Sequence, residues 1–397
     1  MIASGIILVA FLGITLGYAI NIMQSHKFLQ QNSKKAKSKA RNTVVILVPI
    51  YRETQIIAQT VDFFDELATK LNIKVLFITT EREGSPTKNK TYQAVRKLLD
   101  NQPNLALEHY PKMRGSKAEQ LNWVIERYQT STDYFAIFDA DSRPDIRGIQ
   151  YVLEAKNSSD IFQMPTVYLP HPSNTLASQA IAIFQTRWSY CFEIPKWRSW
   201  QNHPSTSRVM YLVGHGLFVS NNFRFSEQTI TEDLELGYRL SAQRATLTVV
   251  PFFDYALVPQ KFRTAIIQSS RWYYGELLSP IDFWQRAKES NSTIQYTLRF
   301  IIRYAQILLW MIGPLLVVAS LVIVSSNIAI LVIGVVSIIL YSALHALICV
   351  YQHAARSSLI LLPIKLITNG FGPMLCVIYV ALDLLKIREF NFVKTKR

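Results

Sequence analysis

Residues 134–142 read Tyr134-Phe135-Ala136-Ile137-Phe138-Asp139-Ala140-Asp141-Ser142. Five apolar side chains in a row, with no turn residue among them, are the pattern of a strand buried on both faces. Two carboxylates at i and i+2 follow at once. They therefore fall at the carboxyl end of the strand, where ligands bind in open α/β sheets. Such a pair can hold a hard divalent cation, which takes one or two carboxylates and completes its shell with water and substrate phosphates. The bland alternative is an Asx turn, in which both acids only satisfy backbone N–H groups.

Reading outward, the same alternation recurs. Val44–Val48 is an apolar, β-branched run and predicts a second buried strand. Glu53–Lys70 carries Ile57, Val61, Phe64 and Leu67 at helical spacing. Lys74–Ile78 and Ala106–Tyr110 predict further strands, and Lys88–Leu99 and Lys117–Tyr128 predict helices. Strand, helix, strand, helix with continuous apolar strands is an α/β pattern with a mainly parallel sheet covered by helices. Chemistry is then expected after each strand. The loops there are Pro49-Ile50-Tyr51-Arg52-Glu53, Thr79-Thr80-Glu81-Arg82-Glu83-Gly84 and Asp139-Ala140-Asp141. Arg114-Gly115-Ser116-Lys117 opens a helix, so its backbone N–H groups and cations form either a phosphate site or a solvated loop.

Three later segments stand out. Val213-Gly214-His215-Gly216-Leu217 places glycines on both sides of a histidine, which implies close approach of a ligand or of another backbone segment. His215 is then either a packed structural histidine or a ligand contact. Thr231-Glu232-Asp233-Leu234-Glu235 leads into an amphipathic helix. It is either an ordinary capped helix start or a carboxylate held for catalysis. Gln268-Ser269-Ser270-Arg271-Trp272 places Gln268, Arg271 and Trp272 on one helix face. An indole and a guanidinium there suit a sugar ring and an anion, and they equally suit a helix lying at a membrane interface.

Composition narrows the class. Of 397 residues, 50% are apolar and 17% charged, which excludes a disordered chain. Three cysteines without a CxxC spacing give neither a disulfide framework nor a zinc site. The net charge of +15 raises nucleic acid as a partner, but the charge sits elsewhere. Residues 2–23 lack any charged side chain and are long enough to span a bilayer. Lys27, Lys34, Lys35, Lys37, Lys39 and Arg41 follow with no acid among them, so the segment reads as a retained anchor. Residues 304–355 are again uncharged, enough for two spans divided near 325–327. Leu359–Leu382 is interrupted by Pro363, Lys365 and Asn369-Gly370-Phe371-Gly372-Pro373, and reads as a kinked span or a re-entrant piece. The tail 386–397 carries five cations and one acid. Ten of the fifteen net charges thus lie beside apolar segments, where they orient a protein and attract anionic lipid. No nucleic-acid partner is expected. The positive-inside rule puts the N-terminus outside and residue 27 onward in the cytoplasm, with the basic tail arguing against a simple final span.

In order and spacing, these segments together resemble the membrane-embedded family 2 glycosyltransferases. That family includes cellulose, chitin, hyaluronan and poly-N-acetylglucosamine synthases and ceramide glucosyltransferase. Pro49–Glu53 is similar to its first-strand loop, Asp139-Ala140-Asp141 to its DxD, Thr231-Glu232-Asp233 to its TED, and Gln268–Trp272 to its QxxRW. The resemblance covers roughly residues 43–280. It implies a GT-A fold, Rossmann-like, flanked by transmembrane helices. It also implies an anchor over 1–24, a basic linker over 25–42, a cytoplasmic catalytic domain with interfacial helices over 43–290, and a membrane region over 291–397.

Carried over residue by residue, the resemblance makes Asp233 the catalytic base and Asp139 with Asp141 the ligands of Mg²⁺ or Mn²⁺. Glu53, Glu81, Lys117, Asp139 and Arg271 would contact the nucleotide sugar, and Gln268, Trp272 and His215 the acceptor. The reaction would be inverting, from a cytoplasmic nucleotide sugar, with a uridine nucleotide expected. The acceptor would be a growing cell-surface polysaccharide or, alternatively, a membrane lipid. The protein would sit in the plasma membrane, as a homo-oligomer or with an accessory subunit if it builds a channel. The sequence departs from the family after the second strand, where Thr79, Thr80 and Glu81 stand in place of an aspartate. An inactive sugar-nucleotide-binding assembly subunit is the remaining reading.

Overall fold

The structure, a computed structural model, describes residues 2–33, 41–100, 102–113, 115–155, 159–204, 210–229, 231–287, 293–352 and 356–385. Lys34, Lys35, Lys37, Lys39, Arg114 and the basic tail 386–397 lie outside the described residues. The chain divides into two compact units. One comprises 29–166 and 196–256, and the other 1–28, 167–195 and 257–397.

The first unit is α/β. The strands of its main sheet are β1 (Val44–Pro49), β2 (Lys74–Thr80), β3 (Leu105–Tyr110), β4 (Tyr134–Ile137), β5 (Ile161–Gln163), β6 (Leu217–Ser220) and β7 (Leu247–Val249). They form one sheet in the order β3-β2-β1-β4-β6-β5-β7. The β1, β2, β3 and β4 strands are mutually parallel. β6 runs antiparallel to both β4 and β5. Every residue of β1 and β4 is buried, as continuous apolar strands between two helical layers must be. The helix Ile57–Leu71 lays Val61, Phe64 and Ala68 on this sheet, and Phe64 meets Phe77 edge-on at 6.2 Å.

Most predicted elements appear within one or two residues. The first helix begins at Ile57 rather than near 53, because Arg52 takes a left-handed φ of 57° and a turn from Glu53 to Ile56 intervenes. β2 runs on to Thr80 because Thr79 and Thr80 continue the ladder against His109 and Tyr110. The helix Lys117–Tyr128 starts where expected. Ser116 caps it and Glu119 reaches back to the Ser116 N–H, a complete capping box.

The second unit is built of helices. Among the described residues, four helical stretches are long and apolar enough to cross a membrane: Ile2–Asn32, Ile301–Ile323, Ile328–Tyr351 and the interrupted Arg356–Leu384. Exposed Ile6, Val9, Ile14, Val322, Ile339 and Ile378 have no core to enter, as expected of side chains facing lipid. Helix Leu176–Trp188 runs into one wide turn, Ser189–Glu193. A wide turn breaks the regular ladder and leaves carbonyls to be satisfied from outside. Asn21 donates to the Cys191 carbonyl at 2.9 Å and Ser25 to that of Tyr190 at 2.8 Å.

The interrupted last segment resolves into two helices, Leu362–Thr368 and Phe371–Leu384. Gly372 explains part of the interruption. A Cβ there would lie 2.6 Å from the Ser269 Cβ and 2.9 Å from the Ile266 carbonyl, so only glycine lets this helix meet Phe262–Ala287 backbone to backbone. Trp197 and Trp200 are buried, donating to the carbonyls of Tyr211 and Ala245, and Tyr273 is buried edge-on to Trp310 at 5.4 Å.

Gly372→Val should therefore cost about 1–3 kcal/mol by overpacking, read as a lower unfolding temperature in detergent. Gly13→Ala, where a Cβ meets nothing within 4 Å, should leave that temperature within error. Equal effects of the two substitutions would refute the packing role of Gly372.

Candidate active site

The sheet brings the predicted loops of the α/β unit to one edge. β1 and β4 are neighbours, with β2 and β3 leading away on one side and β6 on the other, so the strand order switches between them. That switch point opens a crevice at the carboxyl ends of the strands. Asp139 and Asp141 follow β4 there. The antiparallel β6 adds a segment that alternation alone does not foresee. Leu217 pairs with Ile137, so the residues just before β6, Gly214-His215-Gly216, arrive beside Asp139.

Lys117 lies at the centre. Its Nζ is 3.0 Å from Asp139 Oδ1, 3.1 Å from the Gly214 carbonyl and 3.8 Å from Glu232 Oε1. Burial opposes its charge, yet the carboxylates of Asp139, Glu232 and Asp233 outweigh that penalty and hold the ammonium above its ordinary range. Asp233 accepts the Gly214 N–H on Oδ2 at 2.7 Å and the Leu234 N–H on Oδ1 at 2.9 Å. Burial raises the Asp233 carboxyl, with those N–H groups and Lys117 opposing. Burial likewise pushes Glu232 up to about 7, against the pull of Lys117 and with the help of Asp233.

The Thr231 side chain makes no cap for the helix Glu232–Ala242. The close approach implied by the glycines around His215 is thereby explained at one of them. A Cβ on Gly214 would sit 3.1 Å from Asp233 Oδ2, within the space the carboxylate needs.

His215 is held from behind. Its Nδ1 is 2.9 Å from Oδ2 of Asp254, a carboxylate with no exposed surface, and the same Oδ2 accepts the Ser142 hydroxyl at 3.0 Å. Burial works against charge on His215, but its bond to Asp254 and the Asp254 and Asp139 charges raise it above the ordinary imidazole value. Asp254 thus ties Ser142, next to Asp141, to the histidine loop. No motif singles it out, because a lone aspartate opening the strand Asp254–Leu257 has no signature of its own.

The second-strand loop shows what stands in place of the usual aspartate. Thr79 bonds to His109 Nδ1 at 2.9 Å, and Glu81 to His109 Nε2 at 2.8 Å, so these groups are committed to one another. The first-strand loop contributes a stack that sequence reasoning misses. The Tyr51 ring has the Arg52 guanidinium at 5.0 Å and that of Arg82 at 5.1 Å. Glu53 is half-buried in the turn before the first helix.

Gln268, Arg271 and Trp272 belong to the helical unit, on the helix Phe262–Ala287. Gln268 is buried and accepts from Gln185 Nε2 at 3.3 Å, while Arg271 and Trp272 are half-buried.

The metal expected from the sequence can be tested on this donor set. Asp141 is buried and Asp139 is 30% exposed. Among the described residues no three His, Cys, Asp or Glu side chains gather to hold an ion alone. Two carboxylates completed by diphosphate oxygens and water fit Mg²⁺ or Mn²⁺ entering with a donor.

Comparison with known proteins identifies the family. The profile described as glycosyl transferase family group 2 matches residues 134–381, well over half of the chain. The chain belongs to that family. Among solved structures, a mannosyltransferase, PcManGT from Pyrobaculum calidifontis, in complex with GDP-Man and Mn²⁺, is 14% identical with a TM-score of 0.53. The match covers 94% of this chain and 99% of that one. TarS 1–349 from S. aureus in complex with UDP-GlcNAc is 10% identical with a TM-score of 0.39, over 79% of this chain and 93% of that one. No curated protein matches the sequence significantly. The fold is thus GT-A-like, and the chain is a family 2 glycosyltransferase carrying long apolar helices.

Glu232 gives this site a pH signature. The folded protein binds its proton more tightly than the unfolded chain does, so the stability it confers is complete below its ordinary 4.5 and is lost as pH rises through about 7. Wild type should lose thermal stability across that window relative to Glu232→Gln. Parallel profiles would show that the carboxyl is not raised. Gly214→Ala should lower transfer more than it lowers the unfolding temperature, because it displaces Asp233.

Proposed function

We propose that the chain is an inverting glycosyltransferase that adds sugar from a nucleotide sugar to a growing polysaccharide at the cytoplasmic face of the plasma membrane. The observation that carries this reading is the Lys117 cluster, which sets a half-buried carboxylate, Asp233, beside the Asp139 loop with its orientation fixed by two backbone N–H groups.

Asp233 is assigned as the base. It accepts the proton of the acceptor hydroxyl as that oxygen attacks the anomeric carbon from the side opposite the leaving nucleoside diphosphate. A positioned base of this kind is worth roughly 10²–10⁴ in rate. Asp139 and Asp141 would hold Mg²⁺ or Mn²⁺ on the donor diphosphate, where the cation neutralises charge that develops on the leaving group. Asp139, Glu232 and Asp233 lie around one ammonium, and Asp141 follows two residues after Asp139. This excess of negative charge would repel a bare diphosphate and favours one that arrives with its cation.

Lys117 orients Asp139 and the Gly214 carbonyl. His215, backed by Asp254, is assigned to the acceptor, and Glu53 and Glu81 to the donor side. With Thr79 and Glu81 turned to His109, Tyr51 with its flanking Arg52 and Arg82 is the better platform for the nucleotide base. Gln268, Arg271 and Trp272 are assigned to diphosphate and acceptor sugar on their likeness to QxxRW, which also favours a polymer.

A lipid acceptor is the second reading. The four candidate spans among the described residues are few for a conduit, so polymer export would call for an oligomer or an accessory subunit.

Membranes containing the protein, given Mn²⁺ and a panel of radiolabelled uridine and guanosine nucleotide sugars, should label a product from at least one donor. Sizing that product separates polymer from single-sugar lipid, and no labelling from any donor would favour an inactive binding subunit. Asp233→Asn should cut transfer by about 10²-fold or more with donor binding retained, and equal activity would remove it as the base. Transfer by wild type should fall, on acidification, at a pH above the ordinary aspartate range, since burial raises Asp233. Asp141→Asn should lose metal-dependent donor binding, measured by thermal shift with nucleoside diphosphate.

A further inference from the structure

The helical unit holds a second cluster of charged side chains, which the sugar-transfer chemistry does not use. Arg187, on the helix Leu176–Trp188, and Lys365, on Leu362–Thr368, are 7% and 2% exposed. Both lie against one ring. The Arg187 guanidinium is 4.2 Å from the Phe184 centroid and the Lys365 ammonium 5.3 Å from it. His345 stacks on the same ring, with centroids 6.1 Å apart. Among the described residues neither cation forms an ion pair. Arg187 donates to the Tyr341 hydroxyl, and its Nε is buried with no hydrogen-bond partner among the described residues. The Nδ1 of His345 lies 2.7 Å from the Tyr341 carbonyl, which can only accept. The proton is therefore on Nδ1, and Nε2 is left as an acceptor, again buried and unpartnered.

Aromatic faces attract each cation but carry no net charge. They cannot offset the repulsion between two like charges in an apolar surround, and buried charges are otherwise paired. An anion is what the cluster lacks. A guanidinium edge and an ammonium converge on phosphate oxygens as donors. The remaining acceptor, His345 Nε2, needs a partner that brings its own proton. A monoprotonated phosphate monoester offers both kinds of atom, whereas a carboxylate anion offers only acceptors. The surrounding helices are long and apolar, which favours a lipid as the carrier.

We propose that Arg187, Lys365 and His345 form a binding site for the phosphate monoester headgroup of a membrane lipid. The inference does not rest on the reaction proposed above, because binding is read without any nucleotide sugar. The full-length protein in neutral detergent is titrated with phosphatidic acid, phosphatidylcholine or inorganic phosphate, and its unfolding temperature is followed.

Phosphatidic acid should raise that temperature at a concentration about tenfold below either alternative, and Arg187→Gln should shift its midpoint about tenfold higher. Lys365→Met removes one of two mutually repelling charges. Without lipid it should unfold at a higher temperature than wild type, and it should gain less from phosphatidic acid. Equal gains for Lys365→Met and wild type, or equal effects of phosphatidic acid and phosphatidylcholine, would overturn the site. A matching response to inorganic phosphate would overturn the lipid as its ligand. A lower unfolding temperature for Lys365→Met without lipid would show that the two cations are already compensated.

Discussion

One ammonium organises the carboxyl edge of the sheet. Lys117 starts a helix whose position is fixed by the Ser116 and Glu119 box, and its side chain then bonds a carboxylate after β4 and a carbonyl before β6. The carboxylates it neutralises come from two distant stretches of chain, 139 and 232–233. Without a cation between them those acids would repel one another in a site where burial already penalises their charge. The arrangement is therefore cooperative. The capped helix sets the lysine, the lysine permits the acids, and backbone donors hold the Asp233 carboxylate in one orientation.

The parallel half of the sheet was legible in the residues themselves, because a strand buried on both faces has no choice but to be apolar throughout. Val44–Val48 and Tyr134–Phe138 announce themselves in that way. The carboxylates after them stand out because they break the pattern abruptly. The antiparallel β6 was not legible. Leu217–Ser220 is four residues long, and its direction depends on a partner some eighty residues earlier, which periodicity does not report. With that direction unknown, His215 could be noticed but not placed. Asp254 could not be noticed at all, since its role depends on two partners, Ser142 and His215, that are remote in sequence and meet only in the folded sheet.

Aromatic residues beside apolar segments are ambiguous in a sequence. Tryptophan and tyrosine near apolar segments fit both a membrane interface and a protein interior, because each joins an apolar body to one polar atom. What separates the two settings is whether a carbonyl lies within reach of the indole N–H, as Tyr211 and Ala245 do for Trp197 and Trp200. Composition cannot show this. The glycine-interrupted last segment carried the opposite ambiguity. It looked like a flaw in a span, and Gly372 proves to be where two helices touch through their backbones.

The wide turn at Ser189–Glu193 has a consequence for how the chain is made. Its carbonyls are satisfied by Asn21 and Ser25, which leave the ribosome roughly 165 to 170 residues earlier. During synthesis the first helix therefore enters its environment with polar side chains whose partners do not yet exist, and it must wait for them. It is less an anchor that could be exchanged for any apolar segment of equal length than one half of a joint, completed only when the chain returns.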